Sequence, residues 1–198
     1  MKPLTAILLG AGARGQIYSR YAKEHPDQLK IVAVAEPQAD RRALVCREYN
    51  IAEDSAFDTW EKLLARPKTA DIALICTLDD MHTEPALEAL KQGYHVLLEK
   101  PMSNKEDECI AIAKAAKESG KVLSICHVLR YTPFYGTIKR LINEGQIGEV
   151  ASLTAIENVG FWHQAHSFVR GNWRNSKETS PMILQKSCHD MDILLWLS

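Results

Sequence analysis

Neither sign of charge is in excess: 24 Lys and Arg stand against 25 Asp and Glu, for a net charge of −1 over 198 residues. That balance, with no Lys/Arg-rich block or basic tail, excludes nucleic acid and an anionic membrane surface as electrostatic partners. No stretch approaches the ~20 apolar residues that a spanning helix needs. The opening MKPLTAILLGAGARG carries a short apolar run straight into glycines, with no cleavage site after a longer apolar region, so it does not read as a signal peptide. The five cysteines (Cys46, Cys76, Cys109, Cys126, Cys188) are scattered, odd in number and form no CxxC pair. That pattern argues against a disulfide framework and a structural zinc site, and fits a reduced cytoplasmic protein. Repeats and low-complexity stretches are absent as well.

What is present is an alternation of short apolar runs and amphipathic segments, the pattern of a parallel sheet with crossover helices. The runs Leu4–Leu9, Lys30–Ala35, Asp71–Cys76, His95–Leu98 and Val122–Cys126 are continuously apolar, as strands covered on both faces are. Helices are predicted over Ala13–Glu24, Gln38–Tyr49, Thr59–Leu64, Thr83–Gln92, Lys105–Ser119 and Pro133–Glu144. The fold class is therefore α/β, a doubly wound Rossmann sheet over residues 1–128. From about Gly148 the texture changes. Glu149–Glu157 reads as a strand with partial alternation, followed by an aromatic, His-rich stretch without a period. A last helix is predicted from Pro181 to Leu197, with Ser180 as the expected N-cap and Pro181 at its first position. One strand and one helix close no core, so residues 129–198 read as the first part of a substrate domain, truncated here.

Leu4–Leu9 runs into Gly10-Ala11-Gly12-Ala13-Arg14-Gly15 and then a helix. GxGxxG is a weak signal alone; between a buried strand and a helix it marks a dinucleotide site. Gly10 serves the tight turn, Gly12 the approach of the pyrophosphate and Gly15 the helix–strand packing. With Ala13 and Arg14 these residues form the expected diphosphate cradle, at the positive end of the helix dipole. Glu36 ends the second strand, 21 positions after Gly15. A carboxylate there accepts bonds from ribose hydroxyls and repels a 2′-phosphate, which favours NAD. Arg41 and Arg42 open the next helix, where an arginine holds a 2′-phosphate, so NADP stays a second candidate.

The fourth strand runs into Glu99-Lys100-Pro101, at the carboxyl end of the sheet where open α/β folds bind ligands. Proline after Lys100 keeps that residue extended. GAGARG, Glu36, CTLDDMH, LLEKP, RYTPFY and CHDMD, in this order, resemble the glucose–fructose oxidoreductase/inositol dehydrogenase family (Gfo/Idh/MocA) across essentially the whole chain. The resemblance implies a Rossmann domain followed by an α+β substrate domain on a large, mostly antiparallel sheet, through which a complete chain would form a homo-oligomer. It also implies hydride transfer between a nicotinamide ring and a hydroxyl-bearing carbon of a sugar or cyclitol. Carried over by position, Cys76, Thr77, Leu78 and His82 line the dinucleotide cleft, and Glu99 and Lys100 lie near the nicotinamide. Arg130 stands at the junction of cofactor and substrate domains.

In the last helix the family's D-x-x-x-H-x-x-D pattern is met by His189 and Asp192, while Gln185 takes the place of the first acid. At 100° per residue Gln185, His189, Asp192 and Trp196 share one stripe, so Asp192 is expected to orient the His189 ring. Oxidising an alcohol requires removal of the hydroxyl proton as the hydride leaves. His189, with an unperturbed pKa of ~6.5, suits the base. Lys100 would stabilise the negative charge on the same oxygen, or carry the proton itself where desolvation lowers its pKa. Trp162, Arg170, Asn172 and Trp173 are the residues expected to meet the sugar, with Lys100, Gln185 and His189. His163 and His166 lack a nearby carboxylate or cysteine, so no metal site is expected. Two other readings stay open: a glycosidase of the same fold that regenerates its NAD, and a non-catalytic dinucleotide-binding protein.

Overall fold

The computed structural model describes residues 2–175 and 179–198, and the chain divides into two compact units, Met1–Ile125 and Cys126–Ser198. The first is built on β1 (Leu4–Leu9), β2 (Leu29–Ala35), β3 (Ala56–Phe57), β4 (Ile72–Ile75), β5 (His95–Leu98) and β6 (Leu123–Ile125), in the order β3-β2-β1-β4-β5-β6. Every pairing is parallel. Its helices are α1 (Ala13–Glu24), α2 (Ala39–Tyr49), α3 (Trp60–Leu64), α4 (Thr83–Lys91) and α5 (Glu106–Ser119). The short β3 has no counterpart in the sequence reading, because two residues are too few to show a period.

Successive side chains of a strand face opposite ways, and the central strands use both faces. Ile7 and Leu9 of β1 pack with Ala73, Ile75, Val96 and Leu98 under Leu63, Ala86, Leu90 and Ile112. Ala6 and Leu8 pack with Val34 and Leu74 under Ala22 of α1 and Val45 of α2. Each Leu or Ile so buried contributes roughly 1.5–3 kcal/mol. Small residues on the buried stripe of α1 (Gly15, Ser19, Ala22) let that helix lie close to the sheet.

Register fixes where the loops emerge. Leu9 pairs with Ala35 and Ile75, and Ile75 with Leu98, so β1, β2, β4 and β5 end level with one another. The ladder runs one step further: Gly10 N–H donates to Ala35 O (2.8 Å), Cys76 N–H to Leu9 O (2.8 Å) and Glu99 N–H to Ile75 O (2.9 Å). At the opposite end the Asp71 carboxylate accepts from the Thr5 N–H and hydroxyl, both at 2.8 Å. Those two bonds hold its pKa below the ordinary value.

In the second unit α6 (Pro133–Asn143) starts with proline in its first turn, capped by the Thr132 hydroxyl, which accepts from Tyr135 N–H. α7 (Phe161–Gln164) continues as a wider turn over Ala165–Val169, and α8 (Met182–Leu197) closes the unit. Two expectations are corrected here. Residues 150–160 carry no regular element, so the strand expected over Glu149–Glu157 does not form. A strand is held by bonds to a neighbour, and among the described residues this segment has none; Ile156 is 78% exposed. Pro181, not Ser180, is the N-cap of α8, with extended ψ of 152° and no side-chain cap bond. No helix among the described residues is long and apolar enough to cross a membrane.

The start of α5 is tied down by an acid. Glu108 accepts from Lys105 Nζ (2.7 Å), the Ser103 hydroxyl (2.6 Å) and the Thr83 hydroxyl at the start of α4 (2.6 Å). These donors lower its pKa from 4.5 to about 2. A carboxylate with a depressed folded pKa adds stability that is complete above the unfolded value and lost as pH falls through the folded one. Glu108→Gln should therefore lower the melting temperature at pH 7, and the difference from wild type should shrink between pH 4.5 and about 2. Thermal melts across that range check it; a constant difference would remove the ionised carboxylate as its source.

Candidate functional site

The carboxyl ends of the level strands carry most of the residues expected to bind cofactor. Gly10 turns the chain at φ 87°, a conformation that disfavours side chains, and a Cβ there would lie 2.6 Å from Cys76 O. A Cβ on Gly15 would lie 2.1 Å from Gly10 O, so this glycine sets how closely α1 approaches the loop. Gly12 differs. The nearest atom to a Cβ there is Arg41 Nη1 at 3.9 Å, so the space over Gly12 is open and rimmed by an exposed guanidinium. Gly12 is also the N-cap of α1, with Ala13 and Arg14 exposed in its first turn. The first N–H groups of a helix lack intrahelical partners and attract an anion. Open space, orphan donors and a cation make a fit for a diphosphate.

Glu36 is 4% exposed and closes this loop from below. Its Oε2 accepts from Ala11 N–H (2.7 Å) and its Oε1 from Gln38 N–H (2.9 Å), which satisfies a buried carboxylate with backbone donors. Each oxygen keeps a second lone pair for a hydroxyl. Arg42 does not rim the site: its guanidinium bonds the backbone oxygen of Glu36 (2.5 Å).

Cys76, Thr77 and Leu78 follow β4 and are half-buried, while His82 is buried behind them. Beside them Glu99 is 6% exposed and accepts from the Tyr18 hydroxyl (2.5 Å) and the N–H of Lys100 (2.8 Å). Lys100 is half-buried and joined to Pro101 by a cis peptide. Tyr18 was missed in the sequence; its signal is a phenol beside the buried stripe of α1, which needs a polar partner. Away from these loops, an apolar groove of about 620 Å³ lies between Ile17 and Tyr21 of α1 and Ile72, Leu74, Leu97 and Val122 on the sheet.

In the second unit Arg130 grips Asp192 with two bonds of 2.6 Å, Nε to Oδ2 and Nη2 to Oδ1. Arg130 also lies over the Trp196 ring at 5.6 Å, and the ion pair raises its pKa further. This corrects one expectation. Asp192 and Trp196 do share a stripe of α8, but the carboxylate goes to Arg130, not to the His189 ring. A planar guanidinium matches both carboxylate oxygens at once, which a single ring nitrogen does not. His189 instead lies edge-on to His127, ring centres 5.9 Å apart, and His127 Nε2 is 3.9 Å from Asp192. The sequence signal for His127 was its place just past β6, level in kind with Glu36 and Glu99.

Gln185 is buried at 4% exposure, and next to it Lys186 Nζ lies 3.0 Å from His163 Nε2. Trp162 stacks on His166 at 6.2 Å and Trp173 meets Phe168 at 6.5 Å, leaving Trp162 75% exposed. Arg170 and Asn172 are exposed beside them.

Residues 4–127 match the oxidoreductase family described by its NAD-binding Rossmann fold, and residues 139–198 match the C-terminal α/β domain of the same family. The chain belongs to the Gfo/Idh/MocA oxidoreductase family. It is 29% identical over 185 residues to the 2,7-anhydro-N-acetylneuraminate hydratase of Escherichia coli K12, covering 93% of this chain and 47% of that protein. It is likewise 29% identical over 191 residues to the inositol 2-dehydrogenase of Pseudomonas savastanoi pv. phaseolicola, covering 96% and 53%. The chain thus spans about half the length of these curated relatives. A Bordetella pertussis dehydrogenase solved with NADH and UDP-GlcNAcA shares the fold, with a TM-score of 0.81 at 20% identity over 100% of this chain and 57% of that one.

The glycine geometry separates shape from binding. Gly12→Ala should leave stability within about 1 kcal/mol, as a changed N-cap does, yet weaken NADH strongly by filling the open space. Gly15→Ala should destabilise by about 1–3 kcal/mol, because backbone must move. Thermal melts with an NADH titration check the pair, and unchanged NADH affinity in Gly12→Ala would take the diphosphate away from this loop.

Proposed function

We propose that this protein moves a hydride between NAD and a hydroxyl-bearing carbon of a sugar or cyclitol. The observation that carries the proposal is the level ending of β1, β2, β4 and β5, whose following loops carry Gly12, Glu36 and Lys100 at the carboxyl end of one parallel sheet, in a chain of this oxidoreductase family. Residues 1–128 form the cofactor domain in this reading, and residues 129–198 the start of the substrate domain. The diphosphate sits over Gly10–Gly15 and the adenosine ribose on Glu36, with Cys76, Thr77 and Leu78 along the dinucleotide.

The nicotinamide ring, when bound, supplies the hydride acceptor. Lys100 donates a hydrogen bond to the substrate oxygen and stabilises its negative charge as the hydride leaves carbon. His189 takes the hydroxyl proton on a ring nitrogen. Gln185 orients a hydroxyl and carries no proton, since an amide does not ionise at neutral pH. Trp162 and Trp173 offer ring faces to sugar C–H surfaces, and Arg170 and Asn172 bond hydroxyls or an acidic substituent. Arg130 and Asp192 act as a pair that fixes α8, the helix of His189, against the turn after β6. The reading also carries a cytoplasmic location, which rests on five scattered cysteines without a CxxC pair, and a homo-oligomer built on the substrate-domain sheet.

The likeness to a hydratase favours a second reading, in which oxidation at one carbon loosens a neighbouring C–O bond and the hydride then returns. Net cofactor turnover separates the two. Screening a form that spans its relatives' full length against sugars and cyclitols by absorbance of reduced cofactor should reveal NADH formation, with NADH bound more tightly than NADPH because Glu36 is placed for the ribose. Product without net NADH would favour the second reading, and tighter NADPH binding would overturn the choice of NAD. Lys100→Met should lower kcat by on the order of 10²-fold with cofactor affinity little changed, the mark of a group acting in the transition state. Unchanged turnover would remove Lys100 from the chemistry.

A further inference from the structure

The loop after β4 and the turn after β5 leave the sheet side by side, and the His82 ring fills the space between them. It is 1% exposed. Its Nδ1 lies 2.8 Å from the carbonyl oxygen of Pro101, and its Nε2 lies 3.2 Å from that of Thr77. Both neighbours are acceptors, while a neutral imidazole has a single N–H to give. Carried on Nδ1, the nitrogen of the shorter contact, that N–H donates to the Pro101 carbonyl. At the other end of the loop, the Thr77 hydroxyl donates to Met81 O (3.1 Å), so the segment that presents His82 is itself closed.

A ring with almost no exposed area has no surface to offer a dinucleotide. What it does hold is a carbonyl one residue beyond Lys100. We infer that His82 is a positioning residue for Lys100: its Nδ1–H fixes the Pro101 carbonyl, and through it the backbone that carries Lys100, against the Cys76–Leu78 loop. Glu99 fixes the other side of the same residue by accepting from the Lys100 N–H (2.8 Å). Lys100 is thereby clamped before and after its own Cα, and the clamp joins the segment along the dinucleotide to the group at the reacting carbon. The catalytic meaning of this clamp rests on the proposed dehydrogenase reading; the placement of Lys100 does not.

Two conservative variants divide the ring's contacts. The amide nitrogen of Asn falls near the place of Nδ1, and that of Gln near the place of Nε2. In the full chain, His82→Asn should keep the bond to Pro101, and His82→Gln should lose it. The readouts are the ¹³C signal of methylated Lys100, identified by its loss in Lys100→Met, the affinity for NADH, and kcat with a substrate that wild type turns over. His82→Asn should leave the Lys100 signal in place and kcat within about two-fold, whereas His82→Gln should shift the signal and lower kcat by about a hundred-fold, the scale of a misplacement near 1 Å. NADH affinity should stay within about two-fold in both, because the diphosphate cradle is untouched. Equal effects of the two variants on the Lys100 signal, or none from either, would overturn the proposal. Wild type without turnover on any sugar or cyclitol would count against the dehydrogenase reading alone, and the Lys100 signal would still decide the role of His82.

Discussion

The backbone of Gly10 passes the carbonyl of Cys76 at a distance that leaves no room for a methyl group, and the rest of the site follows from that passage. It requires β1 and β4 to end level, which their register provides, and it requires glycine at a φ of 87°. Chain reversal then carries α1 back over the sheet, where Gly15 sits under Gly10 O, and the open space over Gly12 is a consequence. Hydrophobic burial on both faces supplies the rigidity: Ile7 and Leu9 pack into one layer and Ala6 and Leu8 into the other, all fully buried. A loop anchored by two packed strands pays little entropy on meeting its ligand.

Buried acids set the loops that the strands release. Glu36 and Glu99 both lie just past strand ends, both are nearly out of solvent, and both accept backbone N–H groups. A carboxylate in that position is costly unless hydrogen-bonded, so each acid draws the surrounding backbone into one arrangement. Glu36 joins the glycine loop to the turn before α2, and Glu99 joins the Lys100 turn to Tyr18 of α1. Glu108 repeats the pattern one segment on, linking Ser103 and the start of α4. In the second unit the same logic uses a cation, with Arg130 taking both oxygens of Asp192. Binding groups and bracing groups are thus chemically alike in this protein. Their neighbours, not their residue type, tell them apart.

Much of the first unit was legible in the sequence because continuous apolar runs and glycine punctuation are local signals. β1, β5 and α1 fall on the residues that their patterns indicate, Leu4–Leu9, His95–Leu98 and Ala13–Glu24, and α8 starts one residue later than its pattern indicates. β3 was not legible, being too short for any period. The Glu149–Glu157 segment misled for the opposite reason: its alternation is real, but a strand exists only with a bonded neighbour. The stripe on α8 was legible, whereas its partner was not. Spacing on a helix says that Asp192 and His189 share a face; it says nothing of Arg130, which is 62 residues away in sequence and wins the carboxylate by bidentate geometry. Tyr18 and His127 escaped notice because single polar residues at packed positions show their purpose only through contacts.

The central claim is that one row of strand ends holds the dinucleotide with its reactive ring at Lys100. A crystal structure of the chain with NADH tests it most directly. The account predicts the diphosphate over Gly12 at the start of α1, a ribose hydroxyl on Glu36, and the nicotinamide ring lying beside Lys100 and the Cys76–Leu78 loop. NADH seated in the apolar groove between α1 and β4–β6, or lying over the glycine loop with its nicotinamide turned away from Lys100, would contradict it.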